Sequence, residues 1–421
     1  MSATLSLTDV DRAALEGSSG PAVQLAMRIL TRTAEAMGAT ELLDITSAHI
    51  DGCLYHGRAS LDFAHRLTDH GARVAVPAIL NVSSLDLLHP ELVHLDPDTT
   101  TDARALMDAY RSMGCRPTWT CAPYQLPERP SFGEHVAWAE SNAIVFANSV
   151  IGARTGRYGD FIDICCAITG RAPAAGLHLD AQRRARTVFR VEGLPTLLMA
   201  DEAAYAAIGH VVGLRTGNAV PAIVGLAPTA TEDHLKALGA AAASSGAVSM
   251  FHAVGVTPEA QTLEVATGGL EPTLDVTVDL ATVRAARDEL STIGVGAAVG
   301  SVSVGTPHCS ADELRRIAEL VGGRRLAVPF YVNTGRDVLA GSPQDAETIR
   351  AAGGSIVTDT CTYITPIIER AANPVVTNSG KWAWYAPGNL GFDVAFATLE
   401  ECLDSAEAGR LVRDRRMWGD G

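Results

Sequence analysis

Short apolar runs alternate with helix-period segments along almost the whole chain, and glycines punctuate the joins. Thr8 caps a short acidic helix that ends near Gly17, and Pro21 sits in the first turn of a longer helix over 21–37. Leu42 to Ile45 (LLDI) reads as a buried strand. It runs into a Gly-punctuated loop, TSAHIDGCLYHG, carrying Ser47, His49, Asp51 and Cys53. The same pattern then repeats: a helix over 60–70 stopped by Gly71, a strand ARVAVPAIL, and a polar tip at Asn81 with Ser83, Ser84 and Asp86. A helix over 102–113 stops at Gly114, and an extended piece then delivers Cys121, Pro123 and Tyr124.

The stretch 118–170 breaks this regularity. Val136, Ala139, Ala143, Phe146, Ala147 and Val150 recur at helix period around Glu140, Ser141 and Asn142, and Gly152 and Gly156 follow. A helix that breaks with polar groups turned inward is the pattern of a lined cavity. Beyond it, RTVFRVEG and AVPAIVGL read as strands around a helix over 201–212, and TEDHLKALGAAAASSGAVSMFHAVG repeats helix, glycine, strand. A Thr/Gly/Pro-rich segment over 256–276 is the candidate internal boundary. In the last third a helix over 280–290 leads to the strand GAAVGSVSVG, which reaches Thr306, Pro307, His308 and Cys309. Ser310 with Glu313 forms a capping box. Strands RLAVPFYV, SIVTDTC and NPVVT follow, with a helix over 346–352 before the second of them. They end at polar tips including Cys361 and Asn378–Ser379–Gly380–Lys381, ahead of an aromatic loop WAWYAPGN and a C-terminal helix. The alternation predicts an α/β architecture of several α/β/α subdomains with mostly parallel sheets.

Composition narrows the function. With 421 residues, 47% of them hydrophobic and 19% charged, the chain is a folded protein of more than one subdomain. A net charge of -15 argues against nucleic acid and anionic membranes as partners. Every long apolar stretch is interrupted by Gly, Pro or a polar residue, and residues 1–17 are acidic without an apolar signal core, so a cytoplasmic location is expected. The eight cysteines include no CxxC pair and read as thiols.

Asn81, Cys121, Cys309, Cys361 and Ser379 all fall at predicted strand ends, where parallel sheets place ligands. Three thiolates suit iron or an iron–sulfur cluster and leave an iron position open; core packing is the ordinary alternative for a free cysteine, and it is the reading for Cys115, Cys165, Cys166 and Cys402. No histidine sits in an HExxH spacing, although His49 and His308 lie near strand ends. NSGKW lacks the spacing and the Ser/Thr of a phosphate loop, and no GxSxG elbow occurs, which disfavours NTPases and hydrolases.

The segments SAHIDGCLYHG, GARVAVPAILNV, CRPTWTCAPYQ, FGEHVAWAESNAIVFANS, ARTGRYGDFIDICCAITGRAP, FHAVGVTPEA, PHCSADEL, TDTCTYITP and NSGKWAWYAPGN together resemble, in order, the large catalytic part of aconitase X proteins. The resemblance spans nearly the whole chain, so residues 1–421 are expected to form one catalytic unit with an aconitase-like core. It implies an iron-dependent dehydratase, with a cluster or a mononuclear iron on Cys121, Cys309 and Cys361. It places substrate at Gly52, Cys53 and Leu54, at Asn81 and Val82, at Asn142, and at Ser379 and Gly380. Members of known activity act on cis-3-hydroxy-L-proline in bacteria or on mevalonate 5-phosphate in archaea. The archaeal pattern has Gly-Val-Ser where this chain has Gly52-Cys53-Leu54, and loss of that serine favours the hydroxyproline reading. The resemblance further implies a small swivel-domain subunit as partner, since no such domain is found in this chain, and a general base that is a hydroxyl of that partner. Ser379, His49 and Lys381 are the candidates for the base within this chain. The competing readings are a dehydratase or isomerase of another hydroxy acid, including mevalonate 5-phosphate, and a non-catalytic iron-binding subunit.

Overall fold

The computed structural model describes residues 5–419, so the first four residues of the acidic N-terminal segment lie outside the described part. The chain forms two compact units. One comprises the described residues up to Leu85 together with Leu95–Arg184; the other comprises Asp86–His94 and the chain from Ala185 onward.

In the first unit a three-stranded parallel sheet has Ala48–Ile50 in the centre, Ala78–Leu80 on one side and Ala137–Trp138 on the other. The central strand lies inside what the sequence presents as a loop. All three of its residues are buried, so it shows no alternation to mark it. The expected strand LLDI is shorter, Leu42–Asp44, and pairs antiparallel with Arg171–Pro173. ARVAVPAIL contributes only Ala78–Leu80, because the N–H groups of Val74 and Ala75 go to the helix-end carbonyls of Met113 and Ala167, and Pro77 has none to give. The helix expected through Val136 begins later. Ala137 and Ala139 donate to Ser47 and His49 as sheet residues, Glu140 turns the chain at φ +75°, and the helix Ser141–Phe146 widens into a π turn, Ala147–Ile151, before Gly152.

The second unit contains two parallel sheets. One orders Gly354–Val357, Phe330–Thr334, Ser301–Cys309, Val375–Thr377 and Val394–Phe396; the other orders His252–Ala253, Pro221–Val224, Thr187–Val191 and Leu274–Val278. In both, the chain starts in the middle, builds one flank and then crosses to the opposite side, which creates a switch point beside the starting strand. Val302, Val304, Phe330, Val332 and Ile356 pack with Leu314, Ile317 and Leu403 of the covering helices into the larger sheet's core. The register of Ser301–Cys309 shifts at Gly305, where φ is +81° and a Cβ would lie 2.3 Å from Asn333 O and 2.7 Å from Cys309 Sγ; only glycine fits there. Residues 256–276 lie inside this unit, where they carry the helix Leu263–Thr267 and enter Leu274–Val278, in register with Thr187–Val191. WAWYAPGN is not a loop: Gly380–Tyr385 is helical and Ala386–Leu390 forms a second π turn.

Asp86, read above as part of a polar tip, is a structural carboxylate that binds the segment Asp86–His94 into the second unit. It accepts from Leu88 N (2.9 Å), His89 N (2.8 Å), His89 Nδ1 (3.1 Å), Thr358 N (2.8 Å) and Thr358 Oγ1 (2.9 Å). Asp86→Ala leaves these buried donors without an acceptor and is expected to lower unfolding free energy by about 3 kcal/mol or more, measured by denaturant titration.

Candidate functional site

The polar residues singled out in the sequence cluster beyond the carboxyl ends of the parallel strands in each unit. In the first unit the central strand leads to Asp51–Gly52–Cys53–Leu54, and its neighbours lead to Asn81–Val82 and to Glu140–Ser141–Asn142. Asp51 N and Gly52 N donate to Asp163 Oδ2 at 2.7 and 3.2 Å, and Ile164 N donates to Asp163 Oδ1 at 2.6 Å. Burial pushes Asp163 up to about 6, although these N–H groups oppose it. The Gly52 N–H is thereby committed to Asp163 and does not face a substrate. Gly52 also has a steric reason: a Cβ there would lie 2.6 Å from Tyr110 Oη.

Cys53 turns its thiol toward the carbonyls of Ile50 (3.4 Å), Asn81 (3.4 Å) and Val82 (3.6 Å), and burial pushes its pKa up, so it is a packing thiol. Leu54 and Val82 are buried as well. Asn81 Nδ2 donates to Asp51 Oδ1, while Asn81 Oδ1 is buried without a partner. Burial and the charges of Glu140, Asp160 and Asp163 raise Asp51 to about 7, with the Asn81 bond opposing.

Asn142 gives both amide hydrogens away, to Cys121 O at 2.7 Å and to Glu140 Oε2 at 3.1 Å, and accepts from Tyr124 Oη at 3.0 Å. In this geometry it positions the backbone of Cys121. His49 has Nδ1 2.8 Å from Ala139 O and Nε2 3.0 Å from Thr120 O. With both nitrogens facing backbone carbonyls and the side chain fully buried, it stitches two loops together and has no nitrogen left for proton abstraction. Burial lowers its pKa, and the two carbonyls and Glu140 oppose that shift.

In the second unit, Ser379, Gly380 and Lys381 lie at the switch point of the five-stranded sheet, opposite Thr306 and Pro307. They line a pocket of about 20 Å³, room for one water, whose remaining wall includes Glu202, Lys236 and Glu313. Ser379 Oγ donates to Thr306 O and accepts from Trp382 N at 3.0 Å, so its hydroxyl caps the helix Gly380–Tyr385. Lys236 Nζ pairs with Asp233 Oδ1 at 2.8 Å and with Glu313, and Ser310 Oγ donates to Asp233 Oδ2 at 2.7 Å. Burial and the neighbouring Glu313 push Glu202 well above the usual carboxyl range, with Lys236 opposing. Burial also raises Asp233, but Lys236 and Ser310 outweigh it and leave this carboxyl low.

Cys309 ends its strand, and its carbonyl accepts from Thr334 Oγ1 at 2.9 Å. The Cys361 carbonyl accepts from Ile364 N and Thr365 N, both at 3.0 Å. His308 Nε2 lies 2.8 Å from Thr360 O, which ties together the residues that precede these two cysteines. Cys121, Cys309 and Cys361 are all buried and in no disulfide. As soft donors, thiolates suit iron in kind. Among the described residues, no group of three or more His, Cys, Asp or Glu is arranged to hold a metal ion.

Sequence reasoning did not single out Asp163, Tyr110, Glu202 or Lys236. Asp163 sits within the apolar run FIDICCAI, where a lone carboxylate is the signal to look for. Glu202, Lys236 and Glu313 are adjacent only through the fold.

Three aconitase X domain models match the chain: the first domain over residues 4–181, the second over 185–288 and the third over 299–408. The chain is 44% identical to a cis-3-hydroxy-L-proline dehydratase from Pseudomonas aeruginosa, over 97% of this chain and 71% of that protein. It is 41% identical to a cis-3-hydroxy-L-proline dehydratase from Hypocrea jecorina, over 99% of this chain and 70% of that protein. To a phosphomevalonate dehydratase large subunit from Methanosarcina mazei it is 35% identical, over 96% of this chain and 98% of that one. The crystal structure of Thermococcus kodakaraensis aconitase X in its holo form superposes with a TM-score of 0.84 at 32% identity, covering 96% of this chain and 100% of that chain. A parallel-sheet α/β chain with these relatives is a hydro-lyase. The chain belongs to the aconitase X family. No helix among the described residues is long and apolar enough to cross a membrane.

Proposed function

We propose that this enzyme eliminates water from cis-3-hydroxy-L-proline, giving an enamine that tautomerises to Δ1-pyrroline-2-carboxylate. The observation that carries the proposal is the higher identity to the two cis-3-hydroxy-L-proline dehydratases, 44% and 41%, than to the phosphomevalonate dehydratase large subunit of Methanosarcina mazei, at 35%. The first loop supports it: Gly52-Cys53-Leu54 has no hydroxyl at its third position, and three carboxylates, Asp51, Asp163 and Glu140, lie in or near it. That field opposes a phosphate.

Iron, as a cluster or a single ion, would be held by Cys121, Cys309 and Cys361. When bound it supplies a Lewis acid for the departing hydroxyl. The chain's own residues do the rest. Asn142 holds the backbone that carries Cys121, and the His308 bond to Thr360 holds together the strand ends that carry Cys309 and Cys361. Asn81 and the Ser379–Gly380 turn receive the substrate. The α-proton leaves to a base as the C3–O bond breaks and the C2=C3 bond forms. Within this chain Ser379 and Lys381 are the candidates for that base, since both line the pocket, whereas the ring nitrogens of His49 are occupied. A hydroxyl from a small swivel-domain subunit is the third candidate, and we place the working enzyme in such a two-chain complex, in the cytoplasm.

The test is a substrate panel on the anaerobically purified complex. Product from cis-3-hydroxy-L-proline, with none from mevalonate 5-phosphate, supports the proposal; the opposite selectivity overturns it.

A further inference from the structure

In the first unit a buried amide oxygen without a donor stands beside a carboxylate. Asn81, 1% exposed, gives its amide nitrogen to Asp51 Oδ1, which leaves its own Oδ1 buried and unpartnered next to the carboxylate. A buried amide oxygen without a donor is costly, and it persists in native proteins where a ligand or water completes it. The other side of the loop offers no donor, since the N–H groups of Asp51 and Gly52 already point away into Asp163. Glu140, Asp160 and Asp163 add negative potential to the same place. The group that fits is therefore a cation with two N–H bonds, one for each acceptor. The negative field repels a phosphate, and a hydroxyl can donate to the amide oxygen but brings no charge to answer the carboxylate.

From this geometry we infer that Asp51 and Asn81 form a subsite for the secondary ammonium of a cyclic imino acid, making Asp51 a specificity-determining residue. The inference rests on the dehydratase reading proposed above and names the chemistry that separates its two candidate substrates. An ammonium seated on Asp51 also favours ionisation of a carboxyl whose burial otherwise holds it near neutrality.

The test compares cis-3-hydroxy-L-proline with cis-2-hydroxycyclopentane-1-carboxylate, in which CH2 replaces the ring nitrogen, on the anaerobic two-chain holoenzyme. The wild type is expected to bind the imino acid at least about 30-fold more tightly than the carbocycle, and Asp51→Asn is expected to reduce that preference to about threefold or less. In Asp51→Asn the loss appears in KM more than in kcat, with iron content unchanged. A second measurement needs no variant. Asp51 must be ionised to hold the cation, so wild-type affinity for the imino acid falls as pH drops through about 7, while affinity for the carbocycle stays flat. Glu140, Asp160, Asp163 and the Cys53 thiol face Asp51, and they act on both ligands in common except through the ammonium. If the enzyme dehydrates the imino acid but Asp51→Asn keeps the wild-type preference, or both ligands show the same pH dependence, the subsite is refuted and the dehydratase reading stands. If the holoenzyme turns over mevalonate 5-phosphate and not the imino acid, both are refuted.

Discussion

Cys361→Ser is expected to abolish bound iron and to lower turnover by roughly three orders of magnitude while leaving thermal unfolding close to that of the wild type. The expectation follows from where the residue sits. Cys361 lies four residues beyond the strand Gly354–Val357, and the structural service of that turn comes from its carbonyl, which serine retains. The oxygen of serine is a hard donor of high pKa, unsuited to the iron that a thiolate holds. Cys402 provides the control. It lies on the helix Leu399–Ala408 with its side chain in the core, and burial pushes its thiol up, so Cys402→Ser should keep iron and activity at a modest cost in stability. Iron analysis with a parallel melting curve distinguishes the two. Retained iron and turnover in Cys361→Ser would remove Cys361 from the ligand set.

Lys236→Met is expected to destabilise the fold by about 3–5 kcal/mol at neutral pH, the largest stability effect we expect from a single substitution here. Lys236 is 3% exposed and neutralises Asp233 and Glu313, with Glu202 also lining the same pocket. Methionine fills the space and leaves two largely buried carboxylates without a counter-ion. The pH dependence has a definite sign. In the wild type Asp233 is held low, so its contribution is present at neutral pH and is lost as pH falls through that low value. In the variant the unpaired carboxyls are pushed up, and their penalty applies only where they must ionise. The deficit relative to wild type should therefore shrink as pH is lowered from 8 toward 5, read by urea denaturation at each pH. A deficit independent of pH would mean that lost packing, and not the buried charges, sets the cost.

Much of the framework was legible because it depends on local chemistry. Thr8 caps its helix, Ser310 and Glu313 form the capping box that their spacing announces, and Gly17 ends the first helix at positive φ. The strand ends carrying Cys309 and Ser379 also fall where the apolar runs stop. What stayed hidden depends on contacts that spacing cannot carry. Ala48–Ile50 is buried on both faces and so resembles a loop among polar residues. Glu140 needs an unusual positive φ that no residue pattern marks. Asp86 reaches Thr358 across 272 positions of sequence, and Lys236 reaches Glu313 across 77. The roles of His49 and Asn142 changed for the same reason: a polar residue near a strand end suggests chemistry, whereas the fold supplies backbone carbonyls that occupy it.

The most direct test of the central claim is to purify the chain anaerobically with the proposed small-subunit partner, quantify iron, and follow loss of cis-3-hydroxy-L-proline with formation of Δ1-pyrroline-2-carboxylate in the same preparation. Bound iron together with product is the predicted result. A preparation without iron, or one that binds iron and leaves cis-3-hydroxy-L-proline untouched, would contradict the account.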